Sequence, residues 1–307
     1  MYAHALLLAA AAGLAVAQRP TNTSICDYYT TALFTDNTAK NQYALLTALV
    51  NRAGTGNQTT STKVNGIVVP GEYNGTAVNL LPYFDAELKS TNRNNMPACV
   101  NFLDGGSNQN TLFAHLYQYF GALLGCSAYG TADFPAYQGN PNMYEVHKFM
   151  YLNAYQVEYF IEQVGLSAKS FGVADSDVTA VGQSLTSAFN YRDSAPVALL
   201  PGAPVQPQAI CIDPSCPLAA NPDYSAYETP YPPTYCNATT NGTSTMAGST
   251  ATSGSYATMN GTMTMASATG TAVASQTTSG VPAYTGAADR TTVSAAVLIL
   301  GALAALL

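Results

Sequence analysis

The chain has 307 residues, of which 10 are basic and 17 acidic, so that 9% are charged and the formal net charge is -7. A soluble domain usually carries about 25% charged residues; here polarity comes from Ser, Thr, Asn and 21 Tyr, without a single Trp, against a hydrophobic content of 48%. These figures exclude a disordered polyelectrolyte and a protein that holds nucleic acid by charge, and they are unlike an ordinary cytosolic enzyme.

At the start of the chain, Leu6 to Ala17 is an apolar run ending in Ala15-Val16-Ala17, and His4 is the only basic residue before it. Such a run with an A-x-A site reads as a secretory signal peptide over residues 1–17. It is short for a membrane span, which needs about 20 apolar residues.

Residues 18–193 form the expected globular domain. Thr23 to Phe34 reads as a helix with Ser24 and Asp27 as a capping box. Asn41 to Ala53 reads as a second, stopped by Gly54. Residues 54–80 are rich in Gly, Asn and Thr, with one β-prone run at 66–70; Leu80 to Leu88 is expected as a short helix. Gln109 to Cys126 places Leu112, Leu116, Tyr119, Leu123 and Cys126 on one face and Phe113, Tyr117, Phe120 and Leu124 beside it. A helix apolar on most sides is a buried, central one. Asn142 to Val164 is expected as the longest helix, from Met143, Val146, Met150, Ala154, Val157, Ile161 and Val164, with Gly165 as its C-cap. Asp175 caps the next, whose stripe is Val178, Val181, Leu185 and Phe189. The fold class expected is mainly α: a compact helical domain with irregular surface loops, followed by a disordered Ser/Thr-rich stalk.

Residues 194–236 are Pro-rich and hold three of the six cysteines, so they read as an extended strap pinned by disulfides. Residues 237–286 carry no charged side chain and are rich in Ser and Thr, the composition of an O-glycosylated stalk. Residues 287–307 end in an apolar run, Val293 to Leu307, behind small residues and a polar spacer, which reads as a GPI-attachment signal. Gly286 is the preferred attachment residue; Ser279 or Gly280 would give a longer spacer. N-glycosylation sequons stand at Asn22, Asn57, Asn74, Asn237, Asn241 and Asn260. Cys26, Cys99, Cys126, Cys211, Cys216 and Cys236 are an even set in a secreted chain, hence disulfides in one of 15 connectivities.

Catalytic motifs are missing from the sequence. There is no H-E-x-x-H, no C-x-x-C, no G-x-S-x-G, no P-loop and no dinucleotide fingerprint. Glu158 and Glu162, at i and i+4, read as a solvated helix face. Asp175 and Asp177 read as an N-cap and a first-turn acid, and Asp104 before Gly105-Gly106-Ser107 has no assigned role. Two histidines remain after the signal, His115 and His147. His147 falls beside the apolar stripe of the long helix. Its bland reading is a neutral core histidine; its functional reading is an axial haem ligand with His115 on the facing helix as the second.

Leu116-Tyr117-Gln118-Tyr119-Phe120-Gly121, Met143 through Met150, and Phe171 through Val178 resemble three helical segments around the haem pocket of truncated haemoglobins. The resemblance covers residues 112–189 and implies a globin-like shape. It puts the family's proximal histidine near Ala168, which cannot ligate iron. With the terminal signals and the stalk, the whole chain resembles a fungal cell-surface or cell-wall mannoprotein. The sequence therefore ranks first a GPI-anchored, non-catalytic surface glycoprotein with a structural, adhesive or wall-associated role. Its partners would be the GPI lipid of the outer leaflet and cell-wall polysaccharide. A haem or small apolar ligand binder ranks second, with haem as the one cofactor considered and no metal held directly by side chains. A secreted hydrolase of wall polymer ranks last.

Overall fold

In a computed structural model of the protein, residues 19–236 are described. The expectations for residues 1–17, 237–286 and 287–307, with Gly286, Asn237, Asn241 and Asn260, lie outside them.

The helices begin where side chains cap them. Helix α1 (Ile25–Phe34) starts at Ser24, whose hydroxyl accepts from Asp27 N–H, and α2 (Ala39–Thr55) starts at Thr38, which accepts from Asn41 N–H. Helix α3 (Ser107–Leu123) follows a turn in which the Asp104 carboxylate accepts from Gly106 N–H at 2.9 Å. The long helix expected from 142 to 164 is two elements. Helix α4 (Met143–His147) is a single turn capped by Asn142, and α5 (Ala154–Ser170) begins afresh at a full capping box between Asn153 and Gln156. Tyr151, with φ 55°, turns the chain between them. Helix α5 also runs past Gly165, where the missing Cβ allows close approach: a Cβ there would sit 3.2 Å from Val178 of α6 (Asp175–Phe189). Asp175 opens α6 as its first residue; the N-cap is Ala174, so the capping role expected of Asp175 is not met.

The mainly α expectation is overturned by about 15% strand beside about 40% helix, which makes the fold mixed α/β. Strands β1 (Gly71–Tyr73) and β2 (Thr76–Val78) form one antiparallel hairpin. Strand β3 (Asp85–Arg93) lies between β4 (Met96–Asn101) and β5 (Thr234–Tyr235) in a second antiparallel sheet. Both hairpins close on two left-handed residues, Asn74-Gly75 (φ 48° and 77°) and Asn94-Asn95 (φ 53° and 60°). This is the turn geometry whose twist matches the flanking strands. The short helix expected over 80–88 is a 3-10 turn, Leu81–Tyr83, running into β3, and the β-prone run at 66–70 forms no strand.

Three disulfides form: Cys26–Cys126, Cys99–Cys236 and Cys211–Cys216. The first ties α1 to the chain just past α3. The 194–236 strap is more than a covering. Cys211 N–H and Ile210 N–H both donate to Phe189 O at the end of α6, and Ile212 N–H donates to Leu152 O. Cys211, Ala209 and Cys216 are buried in the core.

Candidate functional site

Helices α1, α2, α3, α5 and α6 surround a cavity of about 290 Å³ with almost wholly apolar walls. An engineered cavity of about 150 Å³ is already enough to admit an aromatic ring. Leu49 of α2, Leu116 of α3, Phe160 and Val164 of α5 and Val181 of α6 face into it. The stripes legible in the sequence therefore line a space as well as a core.

Polar bonds at the perimeter set the helix spacing. Ser167 hydroxyl of α5 donates to Leu49 O of α2 at 2.7 Å, and Tyr117 hydroxyl of α3 donates to Asn51 of α2 at 2.6 Å. Arg52 of α2 reaches Ser170 of α5 and lies over the Phe171 ring, 3.6 Å from its centroid. Glu158 accepts from Thr186 and Asn190 and so joins α5 to α6. Tyr29 donates to Asp177 at 2.8 Å, and Arg19 pairs with the same carboxylate at 2.9 Å. Burial first, then Asp177, pushes the Tyr29 phenol up to about 12. Side-chain bonds to backbone and to buried acids are directional, so they fix separations that apolar contact alone would let collapse.

His147 is the last residue of α4 and lines the cavity. Its Nδ1 lies 2.8 Å from Met143 O. A carbonyl only accepts, so Nδ1 carries the proton and Nε2 keeps its lone pair. Nε2 has no hydrogen-bond partner among the described residues. Burial pushes the pKa down, the bond to Met143 opposing it, so the ring stays neutral. This is the state in which imidazole binds a metal. His115, on α3, also lines the cavity; its ring meets Tyr137 edge-on at 5.3 Å, and burial lowers its pKa as well. Tyr119 stands one turn further along α3, 6% exposed, its hydroxyl without a partner among the described residues. Ala168, the position to which the resemblance assigned the proximal ligand, lies on the α5 wall of the same cavity.

A single turn of helix cannot hold itself in place, and α4 is fixed from outside. Gln208 accepts from Met143 N–H at 3.3 Å, and Pro207 O accepts from Tyr144 N–H at 3.4 Å. Asn92 of β3 donates to Glu145 O at 2.7 Å, and Glu228 N–H donates to the Tyr144 hydroxyl at 2.8 Å. Lys148, 3% exposed in its side chain, lies between Glu145 at 3.1 Å and Glu228 at 2.8 Å. Burial opposes its charge, but Glu228 and Glu145 outweigh that and hold the pKa above its ordinary value. Glu145 lies only three residues from Lys148, but nothing in the sequence pointed to Glu228, 80 residues away.

The remaining candidates fall elsewhere. Glu162 is exposed, but Glu158 is half-buried and engaged with Thr186 and Asn190 of α6, so the solvated face expected of both holds for Glu162 alone. Asn22 and Asn74 are exposed and Asn57 half-buried. Among the described residues, no group of His, Cys, Asp or Glu is placed to hold a metal ion by itself, and no helix is long and apolar enough to cross a membrane. No family model, curated protein or solved structure matches the chain.

Proposed function

We propose that the described domain is a haem-binding module of a surface glycoprotein, with the cavity as its pocket and His147 as an iron ligand. The observation that carries this is His147 itself: a neutral imidazole on the wall of an apolar cavity, its Nδ1 held by a carbonyl and its Nε2 without a partner among the described residues. Metal-ligating histidines are oriented by such a bond from the other ring nitrogen. The chain's residues fit the group: the apolar walls would receive a macrocycle, His147 would hold its iron, and His115 on α3 is the second imidazole of the lining. When bound, haem supplies an iron whose further coordination the pocket controls. Three disulfides suit an oxidising compartment, which agrees with the secretory signal and surface attachment expected from the sequence.

The size of the cavity favours a ligand over a purely structural role. At about 290 Å³ it stands near the lower end of the volumes of small-molecule pockets, about 300–1,000 Å³. Haem titration of the 18–236 ectodomain tests the reading. A saturable Soret band at one haem per chain is expected, and it should vanish in His147→Ala. Absence of the band in the wild type would refute the assignment. His115→Ala reports whether the second histidine reaches the iron, through a change in coordination state.

A further inference from the structure

We infer that Lys148 is a positioning residue for His147, acting through a clamp in which the 207–228 part of the strap fixes the helix that carries the imidazole. The inference rests on the proposed ligand role of His147. Its grounds are geometric.

Helix α4 has five residues, and its orienting bonds come largely from the strap. Its first N–H donates to the Gln208 side chain and its second to Pro207 O, and its Tyr144 hydroxyl accepts from Glu228 N–H. The same Met143 whose N–H is held by Gln208 offers its carbonyl to His147 Nδ1 at 2.8 Å. The anchor of the helix and the anchor of the imidazole are thus one residue. Lys148 follows His147 directly, and its ammonium, almost without solvent, closes the far end of the turn onto Glu228 at 2.8 Å and back onto Glu145 at 3.1 Å. A buried ammonium has three donors and no freedom to release an acid without leaving a donor unpaired. The helix is therefore held at both ends: at Met143 by Gln208, and past His147 by Lys148 and Glu228. Loss of either end allows the turn to rotate and the Nδ1 bond to Met143 to lengthen.

Outer partners of metal-binding histidines usually alter metal affinity by about 10–100-fold. The variants are Lys148→Met, Glu228→Gln and Lys148→Arg in the 18–236 ectodomain. Glu228 is 60% exposed in its side chain, so its variant tests the clamp without disturbing the core. Two readouts are taken. In the haem complex, Lys148→Met and Glu228→Gln are expected to release haem about tenfold faster and to shift the iron–histidine stretching band, with Lys148→Arg restoring both. In the ligand-free protein, nitrogen NMR of His147 is expected to show the Nδ1–H tautomer in the wild type and a mixture of tautomers in Lys148→Met. Wild-type release rate, band and tautomer in both charge-removing variants would overturn the positioning role, even where melting temperature falls. If the wild type takes up no haem while the tautomer still responds to Lys148, the haem reading fails and the clamp stands. If the tautomer does not respond either, both fall.

Discussion

At the scale of single residues, the polar groups around the cavity make sharply different predictions. His147 and His115 both have pKa values lowered by burial, so the unfolded chain binds protons more readily than the folded one. Stability of the ligand-free ectodomain should therefore fall as pH drops below about 6.5 and level off only beneath the lowered folded values. The slope is up to about 1.4 kcal/mol per pH unit for the buried His147 and smaller for His115, which is only half-buried. Denaturant titrations at pH 7 and 5 should show the loss, and His147→Leu should remove its share; a flat profile would contradict the buried, neutral imidazoles. Tyr119 predicts a gain. Its hydroxyl is buried and unpartnered, and such a group costs about 1–3 kcal/mol. Tyr119→Phe should stabilise the ligand-free protein by about 1 kcal/mol, read as a higher midpoint at unchanged slope. Lys148 predicts an asymmetry. Removing the buried cation leaves one exposed and one half-buried acid, whereas Glu145→Gln with Glu228→Gln leaves an ammonium stranded at 3% exposure. The double acid variant should be the less stable, because an unpaired buried charge is the costlier defect.

At the scale of elements, the helices were legible and the strands were not. Caps at Ser24 and apolar periodicity at Leu112 and Leu116 are local signals, readable without knowing the partner. Strand β3 is Asp85-Ala86-Glu87-Leu88-Lys89-Ser90-Thr91-Asn92-Arg93. Nothing in that composition announces a strand; what makes it one is β4 on one side and β5, about 140 residues later, on the other. One signal was available. Asn74-Gly75 is a strong short-range hairpin cue, and Asn94-Asn95 is a weaker relative of it; read for turn geometry rather than as a sequon, the first marks β1 and β2. The break of the long helix was hidden because the apolar period continues through Met150, while the chain is turned at Tyr151 and pinned at Leu152 by the distant Cys211. The site was half legible for the same reason: His147 and His115 stood out by rarity, but the cavity between them depends on perimeter bonds such as Ser167 to Leu49. Disulfides discriminate elements as well. Cys26–Cys126 spans 100 residues and Cys211–Cys216 spans 5. Loop-closure entropy then makes loss of the first the larger, about 4–5 kcal/mol against about 2. Paired Cys→Ala variants compared by thermal melting check the order.

For the whole molecule, ligand and fold are linked. A guest that binds only the folded state at a hundred times its Kd adds about 2.7 kcal/mol, so haem should raise the melting temperature of the wild type and leave that of His147→Ala unmoved. Surface attachment is a separate matter: deleting residues 287–307 should send the protein into the medium, and retention on the cell would refute the GPI reading. A mechanical property follows from the Cys99–Cys236 bond. The chain leaves the described region at residue 236, where β5 pairs with β3, Cys236 N–H donates to Glu87 O, and the sulfur is joined to β4. A pull applied beyond that point stops at a covalent junction inside the sheet and never reaches the strap. With the bond reduced, the same pull would peel β5 away and run back along the strap to Glu228, and so to Lys148 and the turn that carries His147. The oxidised bond thus isolates the imidazole from tension on the chain, and in single-molecule stretching the intact protein should extend only after the sheet yields.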